Sequence, residues 1–194
     1  MHAVEPPCSA GEGADAAHAG VPSLFARVLA ADFASLPPSL RRLHDGRAIR
    51  VHHGEGEVRR GRGAGSRLCA ALTRLPPEGT HAVTVEIAAD ERGETWTRTF
   101  GTHRMRSRLW IDRAVLRERL GLVTFAFRLD ADAVGLSWHV IGARMLGIAL
   151  PLRWFADVCA REFAIDGRYA FEIHAALPLV GLLVSYTGWL DVDA

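Results

Sequence analysis

From Pro22 onward the hydrophobic positions follow first a helical period and then a strand period. The stretch "SLFARVLAADFASL" places Leu24, Phe25, Val28, Leu29, Phe33 and Leu36 at helical spacing, with Ser23 as an N-cap. "PPSLRRLHDG" predicts a second short helix that Gly46 stops. "RAIRVHHGEGEVRRG" (47–61) reads as a strand broken by glycines. "AGSRLCAALTRLPPEG" (64–79) predicts a helix from Ser66 to about Leu75, closed by Pro76, Pro77 and Gly79. Beyond Gly79 the dominant period is two, the period of strands.

Six segments carry that period after "HAVTVEIAAD": "ETWTRTF", "HRMRSRLWI", "LVTFAFRLD", "GLSWHVIGARML", "GRYAFEIHAAL" and "VGLLVSYTGWLDV", with "ADVCAREFAID" between the fourth and fifth. "RAVLRERLG" (113–121) is expected as a helical turn or connection, and "GIALPLRWF" as a bend around Pro151. About nine strands with short links favour a meander, and a meander this long must curl or close. The expected fold is α+β: a large, curved, mostly antiparallel β-sheet or partly closed β-barrel of about eight or nine strands, with two or three N-terminal helices. Residues 1–20, rich in Ala, Gly and Pro without a period, are expected to be a disordered tail, and residues 21–194 one domain.

Period two sorts the strands into two faces. One carries Val83, Val85, Ile87, Met105, Leu109, Phe125, Phe127, Trp138, Phe171, Ile173 and Tyr186, and burying it is worth about 25 cal/mol per Å2. The other carries Thr95, Thr97, Thr99, Arg104, Arg106, Arg108, His139, Glu172 and His174. Three arginines in alternation raise two readings. They form either a solvated wall with cross-strand charge pairs, or a concave surface that grips a carboxylate or phosphate.

Composition narrows the classes. The net charge of +1 gives no argument for nucleic acid, and every basic side chain among the 23 Lys and Arg is Arg. Cys8, Cys69 and Cys159 form no CxxC pair, so neither a disulfide framework nor a metal site is expected, and a reducing, cytoplasmic setting fits. The first residues lack a basic start followed by an apolar run, so no signal peptide is expected. The longest apolar stretch, "ALPLVGLLV" (176–184), is too short for an integral membrane segment.

The segments "LFARVLAADFASLPPSLRRLHDG", "ETWTRTFGTHRMRSRLW", "GLSWHVIGARMLGIALPLRWF" and "AREFAIDGRYAFEIHAALPLVGLLVSYTGWL" resemble the bacterial domain of unknown function DUF4166, from about Ser23 to Leu190. The resemblance supplies no catalytic residues. It implies an accessory or ligand-handling role beside a separate redox enzyme, since such domains accompany saccharopine-dehydrogenase-like or thiol-oxidoreductase-like ones. This chain itself has neither GxGxxG after a strand nor CxxC.

Several residues are candidates for chemistry. Glu162 falls on an apolar face, where a carboxylate is either paired or a functional acid, and Arg106 or Arg108 is its expected partner if the register shifts. His139 and His174 are acid/base or ligand candidates, the latter beside Glu172. His52 and His53 point to opposite faces, which disfavours a metal. Trp138 and Trp154 flank an expected apolar cavity. The leading expectation is a binding module for a hydrophobic small molecule, lipid-like or polyketide-like, with an acidic or carbonyl end. Arg106, Arg108, Trp138, Trp154 and His174 would bind it, without a cofactor. The alternatives are a cofactor-independent isomerase, cyclase or hydrolase using Glu162 and His139, and an interaction domain for a separate redox enzyme.

Overall fold

The computed structural model describes residues 22–46 and 49–192; the expected tail at 1–20, with Cys8, lies outside them. Ten strands form a closed antiparallel barrel. β1 (Ile49–Arg60), β2 (Gly79–Asp90), β3 (Gly93–Phe100), β4 (His103–Asp112), β5 (Val115–Leu120), β6 (Val123–Ala131) and β7 (Gly135–Met145) run as a meander. β7 then pairs with β9 (Val158–Ile165), β9 with β10 (Arg168–Leu177) and β10 with β11 (Gly181–Asp191), and β11 closes on β1. The two-residue β8 (Ile148–Ala149) extends the end of β7. Tight hairpins make this order possible, and Gly101 and Gly121 supply positive φ (59° and 58°) where the β3–β4 and β5–β6 turns need it. Register shifts at Ala126/Phe127 and Ala175/Ala176 help the sheet to curl. Closure leaves no long unpaired edge.

The strand count exceeds the expected eight or nine because residues 113–121 are not a helical turn. They hold β5, in which Leu116, Glu118 and Leu120 sit opposite Phe127, Phe125 and Val123. A charged residue at the middle inward position interrupts the alternation. β1 likewise runs unbroken through its glycines. Gly56 and Gly188 are paired across β1 and β11, and a Cβ on Gly188 would lie 2.5 Å from the Phe171 ring. The two glycines give that ring its room.

The two faces of the strands become the two sides of the barrel wall. Val83, Val85, Ile87, Met105, Leu109, Leu116, Phe127, Leu136, Trp138, Phe171 and Tyr186 are buried in one core. Arg104 and Arg106 are exposed on the outside, and Arg108 is half-buried there. Arg108 makes a bidentate pair with Asp90 (Nη1–Oδ2 2.8 Å, Nη2–Oδ1 2.7 Å) and donates to Thr95 Oγ1 at 3.2 Å. The arginine ladder is therefore an outer wall with a cross-strand charge pair. Hydrogen bonds from Arg108, then from the backbone at Arg92, hold the Asp90 carboxyl down at about 2. A depressed carboxylate stabilises the fold above its unfolded value and loses that contribution as the pH falls through about 2. Arg108→Ala is expected to cost no more than about 1 kcal/mol in urea denaturation, because the pair is solvent-screened. The Asp90 carboxyl resonance in that variant should titrate nearer its ordinary value.

The helices close the ends. The helical pattern from Ser23 divides into α1 (Leu24–Leu29) and a 3-10 turn (Ala30–Ser35), and α2 (Pro38–His44) follows. The Ser23 hydroxyl accepts from the Ala26 N–H at 3.2 Å, which caps α1 as its position suggests. Phe25, Leu40 and Leu43 are fully buried, each side chain contributing about 1.5–3 kcal/mol. Phe25 lies against His44 (ring centroids 3.8 Å), Trp138 (5.5 Å) and Trp96 (6.1 Å), so α1 and α2 plug the barrel end where β1 begins and β9 ends. At the other end α3 (Ala64–Thr73) crosses the mouth. Its start lies near Val180 in the β10–β11 turn, and its end near Gly121 in the β5–β6 turn. Arg60 Nη1 donates to the Leu75 and Pro76 carbonyls (3.1 and 2.6 Å) and ties the end of α3 to β1. No helix among the described residues is long and apolar enough to cross a membrane.

Candidate functional site

A barrel of eight strands is just wide enough for its own side chains to fill; ten strands leave space. Between the α1–α2 plug and α3 lies a cavity of about 370 Å3, within the range of small-molecule sites. Its wall is mostly apolar: Val83, Val85, Phe100, Met105, Phe127 and Phe171 are typical. Its mouth lies between Leu72 of α3, Met145, Leu150 and the 3-10 turn Leu152–Phe155. Phe155 is buried edge-on against Phe125 (5.7 Å). Trp154 is 41% exposed and stands at the rim.

Two polar groups interrupt this wall. The first is in mid-lumen. Arg98 on β3 lies over the Trp96 ring at 4.8 Å and donates from Nη1 to Ser107 Oγ (2.9 Å) and Glu118 Oε1 (3.4 Å). Both bonds leave from one nitrogen, so a guanidinium with five N–H donors has others to offer. Burial pushes the nearby Tyr186 hydroxyl up to about 12, with Arg98 lowering it and Glu118 raising it by smaller amounts. That hydroxyl remains protonated at ordinary pH. The second group is at the floor. His44 Nε2 of α2 donates to Glu162 Oε2 at 2.6 Å, with His44 fully buried and Glu162 5% exposed. The Tyr169 hydroxyl lies beside Glu162, and burial together with that carboxylate raises it well above its ordinary value. Trp138, between these groups in the wall, has its indole N–H buried and without an acceptor among the described residues.

The residues singled out by pattern fall into two sets. Glu162, Trp138 and Trp154 line the cavity. Arg106, Arg108, His139 and His174 stand on the outer side of the wall and do not reach it, because each sits one residue out of phase with the inward positions. His139 pairs with Asp130 at 3.1 Å on the exposed surface. It does not meet Glu172, since β7 neighbours β9 and Glu172 lies opposite Arg161. Glu162 pairs with His44 and not with Arg106 or Arg108, which face away from it. His52 points inward and His53 outward to Thr84 Oγ1 at 3.2 Å, as alternation requires. Burial lowers the pKa of His52.

Three residues, Arg98 and Glu118 in the lumen and His44 behind Glu162 in the plug, escape a reading by composition. A signal exists for each of them. Arg98 lies between Trp96 and Phe100, and Glu118 between Leu116 and Leu120, at inward positions of period two. His44 follows Leu40 by four residues, on the helix face that the plug buries.

No curated protein matches the chain significantly. The family model described as "Domain of unknown function (DUF4166)" matches residues 36–190, from the last residues before α2 to the penultimate residue of β11. That span contains every barrel strand but for the last residue of β11, and both polar groups of the lumen, and the chain belongs to this family.

Proposed function

We propose that the barrel binds a hydrophobic small molecule with a neutral carbonyl or hydroxyl end. The observation that carries this reading is the cavity of about 370 Å3, mostly apolar, whose charged groups Arg98, Glu118 and Glu162 already have partners. Arg98 and Glu118 neutralise one another at 3.4 Å. A ligand carboxylate placed beside them would leave an uncompensated charge in a desolvated space, at a cost of several kcal/mol. A neutral acceptor incurs no such cost, and the remaining donors of Arg98 suit it. Of the two ends first expected, acidic or carbonyl, the pairing of Arg98 favours the carbonyl.

The test uses 1-aminoanthracene, a neutral fluorophore that brightens in apolar sites, and two competitors of equal chain length. A long-chain methyl ketone should displace it at lower concentration than the corresponding fatty acid at pH 7, and the acid should improve as the pH falls. Ala160→Trp, which fills the mid-lumen, should abolish fluorophore binding while leaving the circular dichroism spectrum unchanged. No fluorophore binding to the unaltered chain would overturn the reading.

Catalysis without a cofactor on the same scaffold is the second reading. It draws on Glu162, whose carboxylate meets the Tyr169 hydroxyl at the cavity floor. Turnover of a bound ketone or ester that Glu162→Gln removes, with binding retained, would favour it over a carrier.

A further inference from the structure

The surface around the mouth differs from the rest of the molecule. Nine of the fourteen exposed large hydrophobic residues among the described residues lie there, including Leu68, Leu122, Leu146, Ile148, Leu152 and Trp154. Leu146 and Ile148 are 74% and 71% exposed. These side chains come from separate elements that the fold draws together. The Leu146 N–H donates to the Leu122 carbonyl at 3.2 Å, joining the turn after β7 to the β5–β6 turn. Met145 pairs with Ile148, and the end of α3 meets the β5–β6 turn at Gly121. The cavity opens inside this ring.

The same end is net basic. Residues 61–79, 119–123, 144–157 and 177–181, which make the rim, hold Arg62, Arg67, Arg74, Arg119, Arg144 and Arg153 against Glu78 and Asp157. The opposite end, made of the hairpin turns 90–93, 112–115, 130–135 and 165–168 and the plug 22–46, holds eight carboxylates against six arginines. A near-neutral chain is thus polarised along the barrel axis. An exposed apolar ring set among arginines matches an interface that offers acyl chains beneath an anionic surface.

We propose that the mouth of the barrel docks on an anionic lipid bilayer, with Leu146, Ile148, Leu152 and Trp154 entering the headgroup region and the rim arginines meeting lipid phosphates. This assignment stands on the rim alone and does not require the lumen to hold a ligand. If both readings are right, the cavity opens toward the acyl phase while the acidic end and the plugged floor stay in water.

The test is co-sedimentation of the full chain with sucrose-loaded vesicles, either of phosphatidylcholine alone or of equal parts phosphatidylcholine and phosphatidylglycerol. Binding to the mixed vesicles is expected, with much weaker binding to phosphatidylcholine and release by salt. Arg144→Glu with Arg153→Glu should weaken it by roughly thirtyfold or more, at about a factor of five per basic residue. Leu146→Ser with Ile148→Ser should weaken it by roughly tenfold or more without changing the salt dependence. Both pairs are exposed, and thermal unfolding should match that of the unaltered chain. Three outcomes would overturn the proposal: no binding to either vesicle, binding that neither pair of substitutions weakens, or a dimer in sedimentation velocity that Leu146→Ser with Ile148→Ser dissolves. The last would assign the rim to a second copy of the chain. Ligand displacement in the lumen should be unaffected by the charge reversals, so failure at the membrane and failure of the cavity are read separately.

Discussion

Glu162→Ala is expected to lower the unfolding free energy by about 3–5 kcal/mol, because it removes one partner of a buried charged hydrogen bond and leaves the others in place. His44 is fully buried and Tyr169 is 3% exposed, so both lose the acceptor that offsets their desolvation. The loss also falls where the plug meets the wall: His44 belongs to α2 and Glu162 to β9, and their 2.6 Å bond is a direct tie between plug and barrel. In urea the midpoint should fall with little change of slope, and the melting temperature should drop by roughly 6–20 °C for a chain of this size. Glu162→Gln keeps an acceptor and should cost less, about 1–3 kcal/mol. Equal stability of Glu162→Ala and the unaltered chain would mean that the plug is held by Phe25, Leu40 and Leu43 alone.

The second large effect concerns Arg98. Arg98→Met keeps the length and apolar stem of the side chain but removes every donor. Affinity for a long-chain methyl ketone should fall by roughly tenfold to a hundredfold, the range of a hydrogen bond from a charged group. Displacement of 1-aminoanthracene reads this directly, and affinity for the carbonyl-free alkane of equal length should change much less. That comparison separates recognition of the polar end from damage to the cavity. Stability should also fall, since Glu118, at 9% exposure, loses its partner in the wall. Arg98→Met with Glu118→Gln should recover much of the stability without the ketone affinity. An unchanged preference for ketone over alkane would remove Arg98 from the site.

How far the chain could be read in advance depended on which physical property each feature rests upon. Inward and outward faces were legible because period two is local: Val83, Val85 and Ile87 point to one side wherever the strand sits. The same rule put Glu162 on the inner face and separated His52 from His53. Where a polar residue occupies an inward position the rule still holds but the apolar alternation is interrupted, so β5, with Glu118 at its centre, does not stand out as a strand. Arg106, Arg108, His139 and His174 drew attention by chemistry, although their own alternation placed them outside.

The sequence by itself determined the helices before the sheet, the antiparallel meander, the two faces of the wall and the membership in the family, all of which follow from short-range spacing or from direct likeness of segments. Only the tertiary structure decided that ten strands close, because closure depends on β11 returning to β1 across more than a hundred residues. It alone brought His44 to Glu162 and Arg98 to Glu118, since such partners are chosen by the order of strands around the barrel and by which end the helices plug. It alone gathered Leu122, Leu146 and Trp154 into one rim, because hairpin turns distant in the chain share an end only once the barrel has formed.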